Sequence, residues 1–246
     1  MQMAFFIFIF VAALLGSNCI AQELELSPEE AKAAFAKADR ALNDAWAAAR
    51  KSLPEGEFEE LVDDQRAWVE YRDYMAQSPM YTGISGQDDV KRDTPEYFSA
   101  AANLSEMRTE WLKALANETN DALTGTWTDS YGGRIEVVEQ SGKLYFAAEC
   151  VRGPTSHLGQ LSGVADWNER IGWFSDKGHT EGKDTETNLS FILRGKRMEI
   201  IGANTGYYHG ARAYFDGKYV KVAELDYKSR AGVIKAAKEG DMIKGE

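Results

Sequence analysis

Near residue 123 the spacing of apolar side chains changes, and this change limits what the chain can fold into. Upstream, Phe35, Ala38, Leu42, Ala45, Trp46, Ala49 and Leu53 recur at a helical period. Downstream, Ile135 and Val137, then Leu144, Phe146 and Ala148, then Leu189, Phe191 and Leu193 alternate with other residues at the period of a strand. A pattern written for one period does not bury its apolar side in the other element. The fold class that follows is α+β in two domains. An N-terminal three-helix bundle is followed by an antiparallel up-and-down β-barrel of about eight to nine strands.

The first helix opens at Ser27-Pro28-Glu29-Glu30, where Ser27 is placed to cap, Pro28 suits the first helical position and Glu30 closes a capping box. Leu53-Pro54-Glu55-Gly56 breaks it. A second helix is expected from Glu57 to Gln77, with Phe58, Leu61, Val62, Trp68, Val69 and Met75 as its apolar stripe. On its polar face, Glu70 with Arg66 is an expected surface pair. The segment from Ser78 to Thr94 reads as a loop. Pro95 opens a third helix through Tyr97, Ala101, Leu104, Arg108, Trp111 and Leu115, ending near Asn117. Beyond the change of period, short turn pairs recur. Ser141-Gly142, Asn168-Glu169, Gly195-Lys196 and Asp216-Gly217 each separate two strand-like runs, the last pair being Ala211–Phe215 and Lys218–Val222. The domains expected are 1–21 as a signal peptide, 22–120 helical, 121–225 barrel and 226–246 a charged tail, either a short helix around Ala231–Lys238 or frayed.

The signal peptide rests on the apolar run Phe5–Leu15, which is too short for a bilayer span of about 20 residues. It is followed by small residues and by polar Gln22-Glu23, so cleavage is expected after Ala21. The mature chain is then exported, to the periplasm or the exterior; lipid anchoring at Cys19 is the less favoured form. Only Cys150 remains after cleavage, so no intramolecular disulfide is expected. The net charge of −11 disfavours nucleic acid and anionic membrane surfaces and suits a basic partner, although solubility alone also explains it.

Two strings on the first two helices carry an identity. Asp39-x-x-Leu42-Asn43-x-x-Trp46 and Gln65-Arg66-Ala67-Trp68-x-x-Tyr71-Arg72-Asp73 resemble the N-terminal domain of the LprI-type lysozyme-inhibitor family over residues 27–117. The resemblance implies a small helical module, and lysozyme inhibition as the family activity. It also implies cysteines, one just past the Arg-Asp pair, where this chain has Tyr74-Met75-Ala76-Gln77. On physical grounds Trp68 is a core anchor, and Gln65 and Arg72 are placed to bond Asn43 or Asp39 and fix helix register. At the head of the first strand, Gly125-Thr126-Trp127 resembles the G-x-W of lipocalin-like (calycin) barrels, in which the Trp packs across the closed end.

No catalytic motif is present: there is no G-x-S-x-G, H-E-x-x-H or phosphate loop. His157, His179 and His209 fall in loops without ligand spacing, so neither a metal nor a cofactor is expected. Cys150 alternates inward with Ala148 and reads as a buried thiol. The function expected is therefore binding. A lysozyme inhibitor would offer a basic tip such as Arg152, Lys177 or Lys183 to the carboxylates of a basic lysozyme. The rival is a carrier of a small apolar ligand, its barrel lined by Tyr145, Trp173, Phe174, Tyr207, Tyr208, Tyr214 and Tyr219.

Overall fold

The computed structural model describes residues 26–84, 88–117, 122–154, 157–176 and 185–240. Helix α1 spans Pro28–Ser52, α2 Glu55–Ala76, α3 Pro79–Thr82 and α4 Pro95–Ala116. The capping box of α1 is formed: Glu30 N–H donates to Ser27 Oγ at 3.3 Å, and Ser27 N–H donates to Glu30 Oε2 at 2.9 Å. Thr94 caps α4 in the same manner, its Oγ1 accepting from Tyr97 N–H at 3.4 Å. The expected loop 78–94 contains the one-turn helix α3, because Ser78-Pro79 repeats the cap-then-proline signature of the two long helices. Ser78 Oγ accepts from Tyr81 N–H, and Gly83 ends the turn in the left-handed region at φ 76°.

The buried stripe of α1 is Ala31, Ala38, Leu42, Ala45 and Ala49, which lets α4 approach it through Ala101 and Leu104. Around these residues Leu61, Trp68, Trp111, Leu112 and Leu115 complete the helical core.

Eight strands follow: β1 Gly125–Thr128, β2 Arg134–Gln140, β3 Lys143–Val151, β4 Leu158–Trp167, β5 Ile171–Ser175, β6 Asn188–Arg194, β7 Arg197–Ala203 and β8 Gly217–Ala223. They pair antiparallel in sequence order, and β8 closes on β1 through Thr126↔Ala223, Trp127↔Lys221 and Thr128↔Val220, with an irregularity between Thr126 and Trp127. Ser141 and Gly142 both take positive φ, 54° and 71°, as a tight two-residue hairpin requires.

The expected strand Ala211–Phe215 does not form. β8 pairs directly with β7, from Arg197↔Val220 to Ile200↔Gly217. The intervening segment instead fills a gap in the sheet. β4 and β5 share only the pairs Asp166↔Trp173 and Trp167↔Gly172, so much of the β4 edge would be bare. Residues 208–210 cover it: Gln160 N–H donates to Tyr208 O, and Gly210 N–H donates to Leu158 O, both at 2.9 Å. The alternation that suggested a strand is real, since Ala213 and Phe215 are both buried, but they enter the core as a plug outside the ladder.

The interior of the barrel is filled by its own side chains. Trp127, Ile135, Val137, Leu144, Phe146, Leu189, Phe191, Met198, Phe215 and Tyr219 lie at 2% exposure or less. Trp127 Nε1–H donates to Leu123 O at 2.9 Å, which fixes the ring at one end of the core. Of the aromatics expected as a lining, Phe174 and Tyr219 belong to this core and Tyr208 packs against it. Trp173, Tyr207 and Tyr214 are exposed, and Tyr145 lies beneath a C-terminal helix. That helix, Tyr227–Glu239, is longer than expected because Asp226 caps it four residues earlier. Val233 and Ile234 bring it onto Val138 and Tyr145 of the barrel wall.

Candidate functional site

The bundle and the barrel share a core. Val220 and Val222 of β8, Val151 of β3 and Tyr131 of the β1–β2 turn join the helical cluster. Ion pairs Arg197–Glu57 at 2.7 Å and Lys218–Glu60 at 3.1 Å lie across the same junction. The family motif on α2 meets this junction on one side and solvent on the other.

On the junction side stands Arg108 of α4, 2% exposed. Its Nη2 donates to Asp64 Oδ2 at 2.6 Å, its Nε to Gln65 Oε1 at 2.9 Å and its Nη1 to Ser130 O at 3.2 Å. Its guanidinium also lies 4.3 Å from the Trp111 ring centroid and 5.4 Å from that of Trp68. Burial lowers the pKa of Arg108, and the Asp64 carboxylate opposes that shift. One side chain thus ties α2, α4 and the barrel together. Gln65 serves it, rather than bonding Asn43 or Asp39 on α1. The sequence did carry a signal: Arg108 sits in the heptad-like run Tyr97, Ala101, Leu104, Arg108, Trp111, Leu115, at an apolar register.

A second buried arginine lies beside it. Arg152, expected at an exposed basic tip, is 7% exposed and paired at 2.7 Å with Asp129, itself 4% exposed. The contact is made by Arg152 Nη1 to Asp129 Oδ2, whereas Oδ1 accepts from Tyr131 and Gly133 N–H at 2.9 and 2.8 Å. Burial alone would lower the Arg152 pKa; the Asp129 contact overrides it and holds the charge. The arginine also caps the Tyr214 ring at 4.2 Å. Tyr71 of the motif reaches this junction, edge-on to Tyr131 at 5.1 Å, and burial raises its phenol well above the usual range.

The remaining motif residues divide between packing and surface. Leu42 and Trp68 are core residues, and Trp46 lies 4.9 Å from Phe58. Asn43 donates to Asp39 within α1 at 3.3 Å. Arg72 reaches Asp39 at 3.6 Å and Asp73 at 3.1 Å, over the rings of Phe35 and Trp68. Asp73 further accepts from Tyr97 Oη at 3.0 Å and meets Arg92 at 3.3 Å. Arg66 pairs with Asp63, both exposed, instead of with Glu70. Glu70 consequently has no ion-pair partner among the described residues.

The solvent side of α2 forms one wall of a groove of about 550 Å³. Val69, Glu70, Asp73 and Tyr74 line it from α2, Asp89 and Arg92 from the segment before α4, and Pro154 from the barrel. Gly125 and Trp127 lie elsewhere, on β1. Lys177, Lys183 and His179 lie outside the described residues, as do Cys19 and the expected signal peptide. His157 O accepts from Arg152 N–H, and His209 bonds Thr205 and the Gly210 carbonyl at 2.9 Å each, both through ring nitrogens. Among the described residues no three His, Cys, Asp or Glu gather as a metal site, and no helix is long and apolar enough to cross a membrane.

Comparison with curated proteins and with solved structures gives no match. The family model described as lysozyme inhibitor LprI matches residues 19–148, which cover the three long helices, β1, β2 and most of β3. With just over half of its length matched, the chain belongs to the LprI lysozyme inhibitor family.

Proposed function

We propose that the protein is an exported, non-catalytic inhibitor of a basic lysozyme, acting in the cell envelope. Family membership over residues 19–148 is the observation that carries this reading. The apolar run Phe5–Leu15 followed by Cys19-Ile20-Ala21 supports export, with cleavage after Ala21. In this reading the mature protein comprises a helical unit, 22–120, and a barrel unit, 121–225, packed together through their shared core. The barrel core, filled by Trp127, Phe146, Phe191 and Phe215, supports a rigid scaffold over a carrier of a small apolar ligand. The charge of −11 supports fast encounter with a basic enzyme. Lys177 and Lys183 remain the sequence-based candidates for contact with the lysozyme's own carboxylates.

The test is a lysis assay. The mature chain is incubated with a panel of basic lysozymes and clearing of a cell-wall suspension is followed. Lysis slowed at micromolar inhibitor is the expected result; unslowed lysis across the panel sinks the inhibition reading.

A further inference from the structure

The geometry points to the groove beside the family motif as a docking site for a lysine- or arginine-bearing loop of the lysozyme. The inference rests on the inhibitor reading and goes beyond it by naming the surface and the chemistry recognised.

Three observations converge there. First, the groove is open to solvent and measures about 550 Å³, room for a protruding side chain. Second, its carboxylates are unequal. Asp73 is already engaged by Arg72, Arg92 and Tyr97. Glu70 and Asp89 are exposed and have no hydrogen bond or ion pair among the described residues. Third, apolar surface is left uncovered beside them, with Tyr74 at 53% and Val69 at 37% exposure on the α2 wall. An arginine or lysine has both halves of the complement. Its aliphatic stem packs on Val69 and the Tyr74 ring, and its charged head meets Glu70 and Asp89. Arg92 also borders the site and alone would repel such a head, but its charge is met by Asp73 at 3.3 Å and its Nε donates to Gln77 Oε1 at 2.9 Å, which leaves Glu70 and Asp89 to set the sign. The occupant is therefore basic, and the sign agrees with the charge of the whole chain.

The experiment measures binding of the mature protein to an immobilised basic lysozyme, together with inhibition of lysis. Three variants are compared with the parent: Glu70→Lys/Asp89→Lys, Tyr74→Ala, and the control Glu55→Lys/Glu59→Lys. The control makes the same charge change at the opposite end of α2. All altered side chains are exposed, so melting temperatures within about 3 °C of the parent are expected and checked. The groove reversal is expected to weaken binding at least 50-fold, Tyr74→Ala about tenfold, and the control less than fivefold. If the parent inhibits and the groove reversal binds within twofold of it, the groove is not the contact and inhibition uses another surface. If the control loses as much as the groove variant, only overall charge matters and the site is refuted. If the parent neither binds nor inhibits, the inhibitor reading falls and the groove proposal falls with it.

Discussion

The buried Arg108–Asp64 pair makes a prediction whose sign is unusual: removing either partner breaks the same bond, yet the two losses should differ. The Arg108 side chain has 0% exposure and Asp64 has 28%. In Asp64→Asn the guanidinium remains buried without a countercharge, a situation that costs about 3–5 kcal/mol. In Arg108→Met the orphaned groups are Asp64, Gln65 and the Ser130 carbonyl, and all three retain some access to water. The methionine refills much of the space and its sulfur sits well against Trp68 and Trp111. What is lost is the pair, two further hydrogen bonds and the ring contacts, partly offset by rehydration, for a net cost of about 2 kcal/mol. The assay is urea unfolding followed by tryptophan fluorescence and by far-ultraviolet circular dichroism, with coincident transitions required before free energies are compared. Arg108→Met proving as costly as Asp64→Asn, or costlier, would refute the claim that stranded buried charge dominates at this junction.

Other expectations follow from the same structure. Burial pushes the Cys150 thiol from 9.0 up to about 11, so iodoacetamide at pH 8 should label it only in denaturant; rapid labelling of the native chain would contradict this. A raised folded pKa gives stability that is whole below the unfolded value and is lost as pH rises towards the folded one, so the protein should lose up to roughly 3 kcal/mol between pH 9 and 11 through this thiol. Cys150→Ala should flatten that part of the pH–stability curve. Gly163→Ala places a Cβ into the Phe174 ring and should cost about 1–3 kcal/mol in chemical denaturation. Asp73→Ala removes contacts to Arg72, Arg92 and Tyr97 and should cost about 2 kcal/mol, while Arg92→Ala, losing one largely exposed pair, should cost under about 1 kcal/mol. Hydrogen exchange at Tyr81, Thr82 and Val90 should rise more in the first variant than in the second.

Local signals placed most of the fold. The Ser27 and Thr94 caps with their following prolines located two helix starts, and the Ser141-Gly142 turn set the β2–β3 register, because each depends on residues adjacent in sequence. Ser78-Pro79 carries the same signature but was masked by the glycines around it. The false strand at Ala211–Phe215 shows why period alone is insufficient: Ala213 and Phe215 alternate inward, but the β7 edge such a strand would need is paired with β8. Long-range polar partners were hidden for the same reason. Nothing near Gln65 in sequence indicates that its Oε1 accepts from Arg108, 43 positions away. Arg152 looked like a surface tip because Asp129 lies on another strand's end. Its burial emptied one expected basic contact, while the absence of the Glu70–Arg66 pair freed a carboxylate at the groove.

The missing family cysteine bears on that groove. The LprI resemblance places a cysteine just past the Arg72-Asp73 pair, where this chain has Tyr74-Met75-Ala76-Gln77, with Met75 and Ala76 both buried at 2% or less. The end of α2 is nevertheless held. Val90 N–H donates to Gln77 O at 2.8 Å, Arg92 Nε to the Gln77 side chain, and Asp73 joins Arg72, Arg92 and Tyr97 over a small core of Ala76, Val90 and Ala101. A disulfide acts chiefly by constraining the unfolded chain; this network acts on the folded state. It therefore survives reductant, and its exposed arm through Arg92 weakens with salt. It also sets the chemistry of the surface above it. Because the Asp73 charge is spent on holding α2 to α4 and to Arg92, a basic side chain of a partner finds its carboxylates at Glu70 and Asp89, the two that the fold leaves without a partner among the described residues.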